Sequence, residues 1–268
     1  LPVALTRLPL VESSFDNRAY SKVGAAGIWQ FMPGTARRYM RLDDLVDDRR
    51  DPWFSTHAAA RHLSDDYAML QDWPLAVTAY NFGRVGIRRA LDEIGGNTLV
   101  DMINRYEGRR FGFASRNFYA EFLAALDVER AHPEWFGPVI PAERLIFDTV
   151  TTRDYVAWST LQQLSGLSTE AFHERNPAYV DLVREDKLLV PPGHLIRVAP
   201  GHAGNFEAAY AQLGASHRHA QQRSWLIEHR VRAGETLSQI ARRHGTSAAR
   251  LQEMNGIRDA GRIRIGQI

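Results

Sequence analysis

The sequence predicts an α+β chain of several domains: a large all-α domain, then smaller mixed units. Three observations predict this. Apolar residues recur at helical spacing through the first 132 residues, with no alternating strand pattern among them. The texture changes at His132-Pro133 and Gly137-Pro138, where turn-forming pairs mark a boundary. Beyond it, Gly166, Ser168, Phe172 and Asn176 stand at the same offsets as Gly245, Ser247, Leu251 and Asn255, which points to two copies of one small unit. The expected division is residues 1–132, 133–214, a linker at 215–227, and 228–268.

Val3, Leu5, Leu8 and Val11 space a buried helix over residues 2–12, started by Pro2 and disturbed at Pro9. It delivers Glu12 at its C-terminal end. Residues 13–22 are polar and irregular. Gly24-Ala25-Ala26-Gly27 permits close backbone approach, Ile28 to Met32 pack beside Glu12, and Pro33 opens a short helix. Asp43, Asp44, Asp47, Asp48 and Asp51 lie in a stretch of mixed charge. A calcium loop would need a central Gly and a terminal Glu that are missing, so a solvated loop is expected. Asp51-Pro52 reads as N-cap and first residue of a helix to about Leu70, in which Ala58, Ala59 and Ala60 allow close packing. Trp73-Pro74 starts a helix through Phe82 that Gly83 ends. Helices at about 84–94, 98–106 and 115–131 follow.

In the second half, Leu145-Ile146-Phe147 and Leu188-Leu189-Val190 read as strands. Thr160 to Asn176 reads as two short helices, and residues 203–213 as another. The linker, with His217 and His219, reads as exposed rather than metal-binding.

A formal net charge of +2 with a pI near 9.0 suits a polyanionic partner without specifying one. Basic residues are scattered rather than gathered into an aromatic-interleaved stripe, which excludes nucleic acid as the expected ligand. There is no cysteine, so disulfides and thiolate metal sites are excluded. No apolar run reaches the length of a membrane span. Leu1-Pro2-Val3-Ala4-Leu5 already reads as domain interior, so the chain is expected to be a mature fragment.

Glu12 is the candidate catalytic group. It stands in Leu8-Pro9-Leu10-Val11-Glu12-Ser13-Ser14-Phe15. Apolar walls disfavour the charged carboxylate and raise its pKa. A Glu raised in this way holds a proton near neutral pH and can donate it to a leaving oxygen.

Glu12-Ser13, Gly24-Ala-Ala-Gly-Ile-Trp-Gln-Phe-Met-Pro33 and Ala79-Tyr-Asn-Phe-Gly83 resemble, in order and spacing, the soluble-lytic-transglycosylase family. The likeness covers the first half of the chain and is nearest to the D-type branch of the membrane-bound lytic murein transglycosylases. It implies an all-α, goose-lysozyme-like catalytic domain in which one Glu serves as acid and then base, cleaving the MurNAc-β-1,4-GlcNAc bond with formation of 1,6-anhydro-MurNAc. Carried over by position, Glu12 is catalytic, and Ser21, Gln30, Met32, Tyr80 and Asn81 bind substrate, with Ser21 bonded near the glutamate and Glu12 a partner for the Tyr80 hydroxyl. The family places a tyrosine in its last core helix. Here the gapless register puts Phe118 there, and Tyr119, turned by about 100°, is the candidate retained.

The stretch His229 to Asn255, with Arg262 to Ile268, resembles the LysM module. That implies a βααβ fold binding GlcNAc polymers through Gly234, Glu235 and Thr236 and through Gly256 and Ile257. The middle region is then expected to be a degenerate LysM-like unit, its first helix shorter by three residues (160 to 176 against 236 to 255) and its sugar binding weak or absent. The resemblances imply peptidoglycan glycan strands as partner, no cofactor and no metal. They also imply a periplasmic or cell-envelope location, any outer-membrane anchor lying upstream. Two rival functions remain: a muramidase, for which Asp16 is the nearest second carboxylate although its setting reads as an exposed turn, and a non-catalytic peptidoglycan-binding scaffold.

Overall fold

The structure, a computed structural model, describes residues 1–140, 142–223 and 228–268. Its contacts divide the chain into two units: Leu1–Leu42 with Asp48–Glu143, and Asp43–Asp47 with Arg144–Ile268.

The first unit begins with a 3-10 turn, Val3–Arg7, followed by α1 (Leu8–Ser13). The single helix expected over residues 2–12 is therefore two pieces. Pro9 lies in the first turn of α1, where its missing N–H costs no helical bond, so it starts a helix rather than bending one. Helix α2 (Pro33–Ala36) begins at Pro33 as expected. The Asp51 carboxylate accepts from the Trp53 and Phe54 amides and starts α3 (Pro52–Leu70). Asp72 caps α4 (Trp73–Phe82) in the same way, and Gly83, at φ +91°, ends it. Then come α5 (Arg84–Ile94), α6 (Leu99–Arg105) behind a Thr98–Asp101 capping box, α7 (Phe113–Arg130) and α8 (His132–Phe136).

Two apolar clusters hold this unit. One joins Leu8 of α1 to Ile28, Trp29, Phe31, Leu63 and Phe118; the other gathers Leu75, Ile87, Leu91, Met102 and Phe111. Residues 41–51 correct the sequence reading, because this is not a solvated loop. Asp43 and Asp44 are exposed, but Asp47, Asp48, Arg49 and Asp51 are buried. Buried charges need partners. Asp48 accepts from the Arg41 amide, Asp51 caps α3, and Arg49 donates to the Gly24 and Phe31 carbonyls at 2.6 and 3.1 Å.

In the second unit, β1 (Asp148–Thr151) pairs antiparallel with β2 (Leu195–Val198), with Asp148 opposite Val198 and Thr151 opposite Leu195. Between them lie α9 (Trp158–Leu164), α10 (Thr169–Arg175) and α11 (Asp181–Arg184), and α12 (Ala203–Ala211) follows. Neither strand falls where the apolar runs put it. Leu145 and Ile146 are 70% and 64% exposed, and of Leu188 to Val190 only Val190 forms a bridge, to Val156. A short apolar run reports burial, not strand pairing.

Toward the C-terminus, α13 (Leu237–Arg243) and α14 (Ala248–Asn255) form the second helix pair. The Val231 amide donates to the Gln267 carbonyl and the Gly266 amide to the Val231 carbonyl, laying the first and last segments side by side. Both pairs have an N-capping serine before the second helix, Ser168 and Ser247. Phe172 is fully buried and Leu251 half-buried, and α9 and α13 both have seven residues, so the shorter first helix expected in the middle unit is not found.

The expected linker is not free. His219 pairs with the Tyr155 main chain, and the Gln222 side-chain amide binds both the N–H and the carbonyl of Leu189. Its residues 224–227 lie outside the described ones. Residues 43–47 complete this unit: Val46 is fully buried, bridges Tyr179, and is flanked by the Asp47-to-Ala178 and Val180-to-Leu45 main-chain bonds. Among the described residues, no helix is long and apolar enough to cross a membrane.

Candidate active site

Glu12 sits one residue from the end of α1. The chain turns sharply there, with Ser14 and Phe15 both left-handed at φ +52° and +60°. The Ser13 hydroxyl donates to the Ile28 carbonyl at 2.8 Å and ties this end of α1 to the Gly-rich segment. Glu12 is half-buried, and its pKa is pushed up to about 7. Desolvation is the larger cause, and the charge of Glu121 on α7 adds to it. Sequence reading missed Glu121, because only the packing of α1 on α7 relates the two carboxyls.

This carboxyl works against stability. With a folded pKa near 7 and an ordinary value of 4.5, the folded state holds the extra proton between those values. Stability therefore falls as pH rises from about 4.5 through about 7. Glu12→Gln should unfold at higher urea than the unmutated chain at pH 8, by about 1–3 kcal/mol, and equally at pH 4. Equal midpoints at both pH values would show that Glu12 is not desolvated.

The Gly-rich segment is a tight double turn, with bridges from Ala26 to Tyr20 and to Phe31. Ser21 accepts from the Ala25 amide at 2.9 Å, so its hydroxyl serves the turn. Gln30, left-handed at φ +47°, donates to the Gly27 and Ala19 carbonyls at 2.8 and 3.3 Å. Gly27 is held against the Arg49 main chain: a Cβ there would stand 1.8 Å from the Arg49 oxygen. Trp29 is core, its indole donating to Thr56, whereas Met32 is 42% exposed beside it.

Tyr80 closes this wall. Its ring lies 5.9 Å from Phe31 and 6.3 Å from Trp29. Its hydroxyl donates to the Trp29 carbonyl at 2.8 Å, not to Glu12 as expected from the sequence. A main-chain acceptor on the neighbouring segment satisfies the phenol first. Glu12 is nevertheless near enough that its charge helps to raise the Tyr80 pKa well above the usual value, after desolvation. Consecutive carbonyls of Ile28 and Trp29 thus receive Ser13 from the side of Glu12 and Tyr80 from α4. Asn81 is exposed, and its side-chain oxygen accepts from Ser115 at 2.7 Å. Phe118 is buried core, while Tyr119 is half-buried and packs on both clusters.

In the C-terminal module, Gly234 and Gly256 turn the chain at φ +79° and +65°. Thr236 caps α13 in a capping box with Gln239. The Glu235 carboxylate accepts from the Arg232 amide, His229 and Arg243, and these bonds hold its pKa down to about 2. Its oxygens brace the loop from inside. Gly234, Thr236 and Gly256 are exposed, and the Ile257 amide donates to the Gln252 carbonyl at 2.8 Å.

The acid at the end of α1 thus lies on a helical scaffold, and a small helix-pair module stands at the C-terminal end of the chain. Residues 1–103 match the transglycosylase SLT domain, and residues 229–268 match the LysM domain. The chain is 28% identical over its whole length to membrane-bound lytic murein transglycosylase D of two Escherichia coli strains, K12 and O6:H1. It is 34% identical, over 35% of its length, to 46% of an Alteromonas sp. (strain M-1) protein named for tributyltin chloride resistance. The chain spans 59% of the E. coli relatives. It therefore joins an SLT transglycosylase domain to a LysM domain and is homologous to those transglycosylases.

Proposed function

We propose that the chain is a peptidoglycan lytic transglycosylase that cleaves the MurNAc-β-1,4-GlcNAc bond and leaves a 1,6-anhydro-MurNAc end. The observation that carries this reading is Glu12, a desolvated carboxyl with a pKa near 7 on the SLT scaffold. At neutral pH a substantial fraction is protonated and ready to act as an acid. It gives its proton to the glycosidic oxygen as the C1–O bond breaks, leaving an oxocarbenium-like centre. The new carboxylate then takes the proton of the muramic C6 hydroxyl, and that oxygen closes on C1. Glu12 ends the cycle protonated, so no water is consumed. Ser21 and Gln30 hold the Gly-rich turn, and Met32, Tyr80, Asn81 and Tyr119 are the side chains proposed to contact the sugar.

Mass spectrometry of products from purified peptidoglycan tests this. Anhydro ends without solvent oxygen-18 are expected, and labelled reducing ends would overturn it. The second reading, a muramidase, draws on Glu121 rather than Asp16. Asp16 is exposed and bonded to the Arg18 amide, whereas Glu121 is the carboxylate whose charge reaches Glu12.

The C-terminal module is proposed to bind GlcNAc polymers through Gly234, Thr236, Gly256 and Ile257, with Glu235 bracing their loop. Chitin oligomer titrated into the full chain should bind, and Glu235→Ala should weaken binding about tenfold or more, since it frees three donors at once. An unchanged affinity would remove Glu235 from the site. A periplasmic or envelope location follows from such a substrate.

A further inference from the structure

Beneath the Tyr80 wall lies a buried polar cluster that the proposed chemistry does not use. Asp66 on α3 is fully buried, and Arg84 of α5 brings its Nε to 2.7 Å from Asp66 Oδ1. The same guanidinium donates to His62 Nδ1 at 2.8 Å and to the Tyr39 hydroxyl at 2.7 Å. Tyr39 in turn donates to Asp65 at 2.6 Å. Because Arg can only donate, His62 Nδ1 must accept. His62 is therefore neutral with its ring orientation set. That ring lies 5.2 Å from Tyr80 and 6.0 Å from Phe31.

We propose that Asp66, with Arg84 and His62, is a positioning residue that holds Tyr80 against the Trp29 carbonyl and so shapes the wall of the Glu12 site. The chain of contact is continuous: Asp66 to Arg84, Arg84 to His62, the His62 ring to Tyr80, and Tyr80 to the turn that Ser13 ties to α1. A stability role explains the cluster poorly. A buried ion pair is commonly replaceable by apolar residues at no loss.

Desolvation pushes the Asp66 pKa up to about 7 despite Arg84, and Tyr80 feels the charges of both Glu12 and Asp66. The charged and titratable groups facing Asp66 are Arg84, Asp65, Arg38, His62 and Tyr80. The assignment rests on the reading of Glu12 as the acid.

The test uses the full chain with ring-13C tyrosine, the Tyr80 signal being identified by its loss in Tyr80→Phe. In Glu12→Gln, which removes the titration of Glu12, the Tyr80 signal should still step with a midpoint near 7, from Asp66. In Glu12→Gln/Asp66→Asn the step should vanish. A step that survives overturns the proposal. Should Asp66→Asn not fold, Arg84→Lys, which keeps the charge but loses the fork, should displace the Tyr80 signal, and an unmoved signal again overturns it.

In turnover, Asp66→Asn should lower kcat by about 10- to 100-fold with KM within about twofold. It should add no further loss in a Tyr80→Phe background. Additive losses would mark Asp66 as merely structural. An unmutated chain that releases no anhydro product would sink the functional reading alone, since the tyrosine experiment needs no turnover.

Discussion

Glu12→Gln is expected to lower turnover of peptidoglycan by about 10²–10⁴-fold or more while leaving the fold intact. The amide can neither donate the first proton nor accept the second, and one group serves both steps. Steady-state release of soluble muropeptides checks the loss, and a far-UV spectrum checks the fold. Asp16→Asn should be nearly silent, since that carboxylate only caps its own exposed turn. Glu121→Gln should act differently. Removing a negative charge lowers the Glu12 pKa, so the alkaline limb of the rate profile should move to lower pH with the maximum little changed. Loss of most activity in Glu121→Gln, with oxygen-18 in the product, would make Glu121 the base of a hydrolase.

The second large effect is structural. Gly27→Ala should cost about 3–5 kcal/mol and lower the melting temperature by roughly 6–20 °C. Its Cβ would meet the Arg49 oxygen at 1.8 Å and the Arg49 carbonyl carbon at 2.8 Å, both main chain, on a backbone at φ +73°. Nothing there can give way without moving the buried Arg49 segment. Gly24→Ala is the control: it too is left-handed, at φ +91°, but its nearest neighbour is 3.8 Å away, so it carries the backbone strain of about 1–2 kcal/mol alone. Equal thermal shifts in the two variants would show that conformation, not the approach to Arg49, sets the cost.

What was legible in the sequence had local causes. Asp51-Pro52 and Gly83 announced the ends of α3 and α4 because caps act within one turn. The apolar flanks of Glu12 pointed to a raised pKa, and burial is the larger cause of the shift found. Partners far along the chain were not legible. The Tyr80 hydroxyl went to a main-chain carbonyl 51 residues away, and Glu121 acts on Glu12 across two helices. Arg49 looked solvated because its partners, the Gly24 and Phe31 carbonyls, lie 25 and 18 residues away. His62 and Asp66 did carry a signal: they sit on the buried stripe of α3 with Ser55, Ala58, Ala59, Leu63 and Leu70. Two ionisable residues at helical spacing on an apolar stripe are uncommon enough to flag a buried network.

Val46 leaves the ribosome about 130 residues before Tyr179, the residue it bridges. At ordinary elongation rates that is a wait of roughly 7–25 s. Through that interval the main chain of Leu45 and Val46 lacks the partners it has in the folded unit, and unpaired main chain beside apolar side chains invites wrong pairing. Loop-closure entropy grows only with the logarithm of length, so the late union weighs little on the finished stability. Its burden lies in assembly: the core of the second unit closes only when residues 43–47, parted from the rest of that unit by residues 48–143, come back to join it.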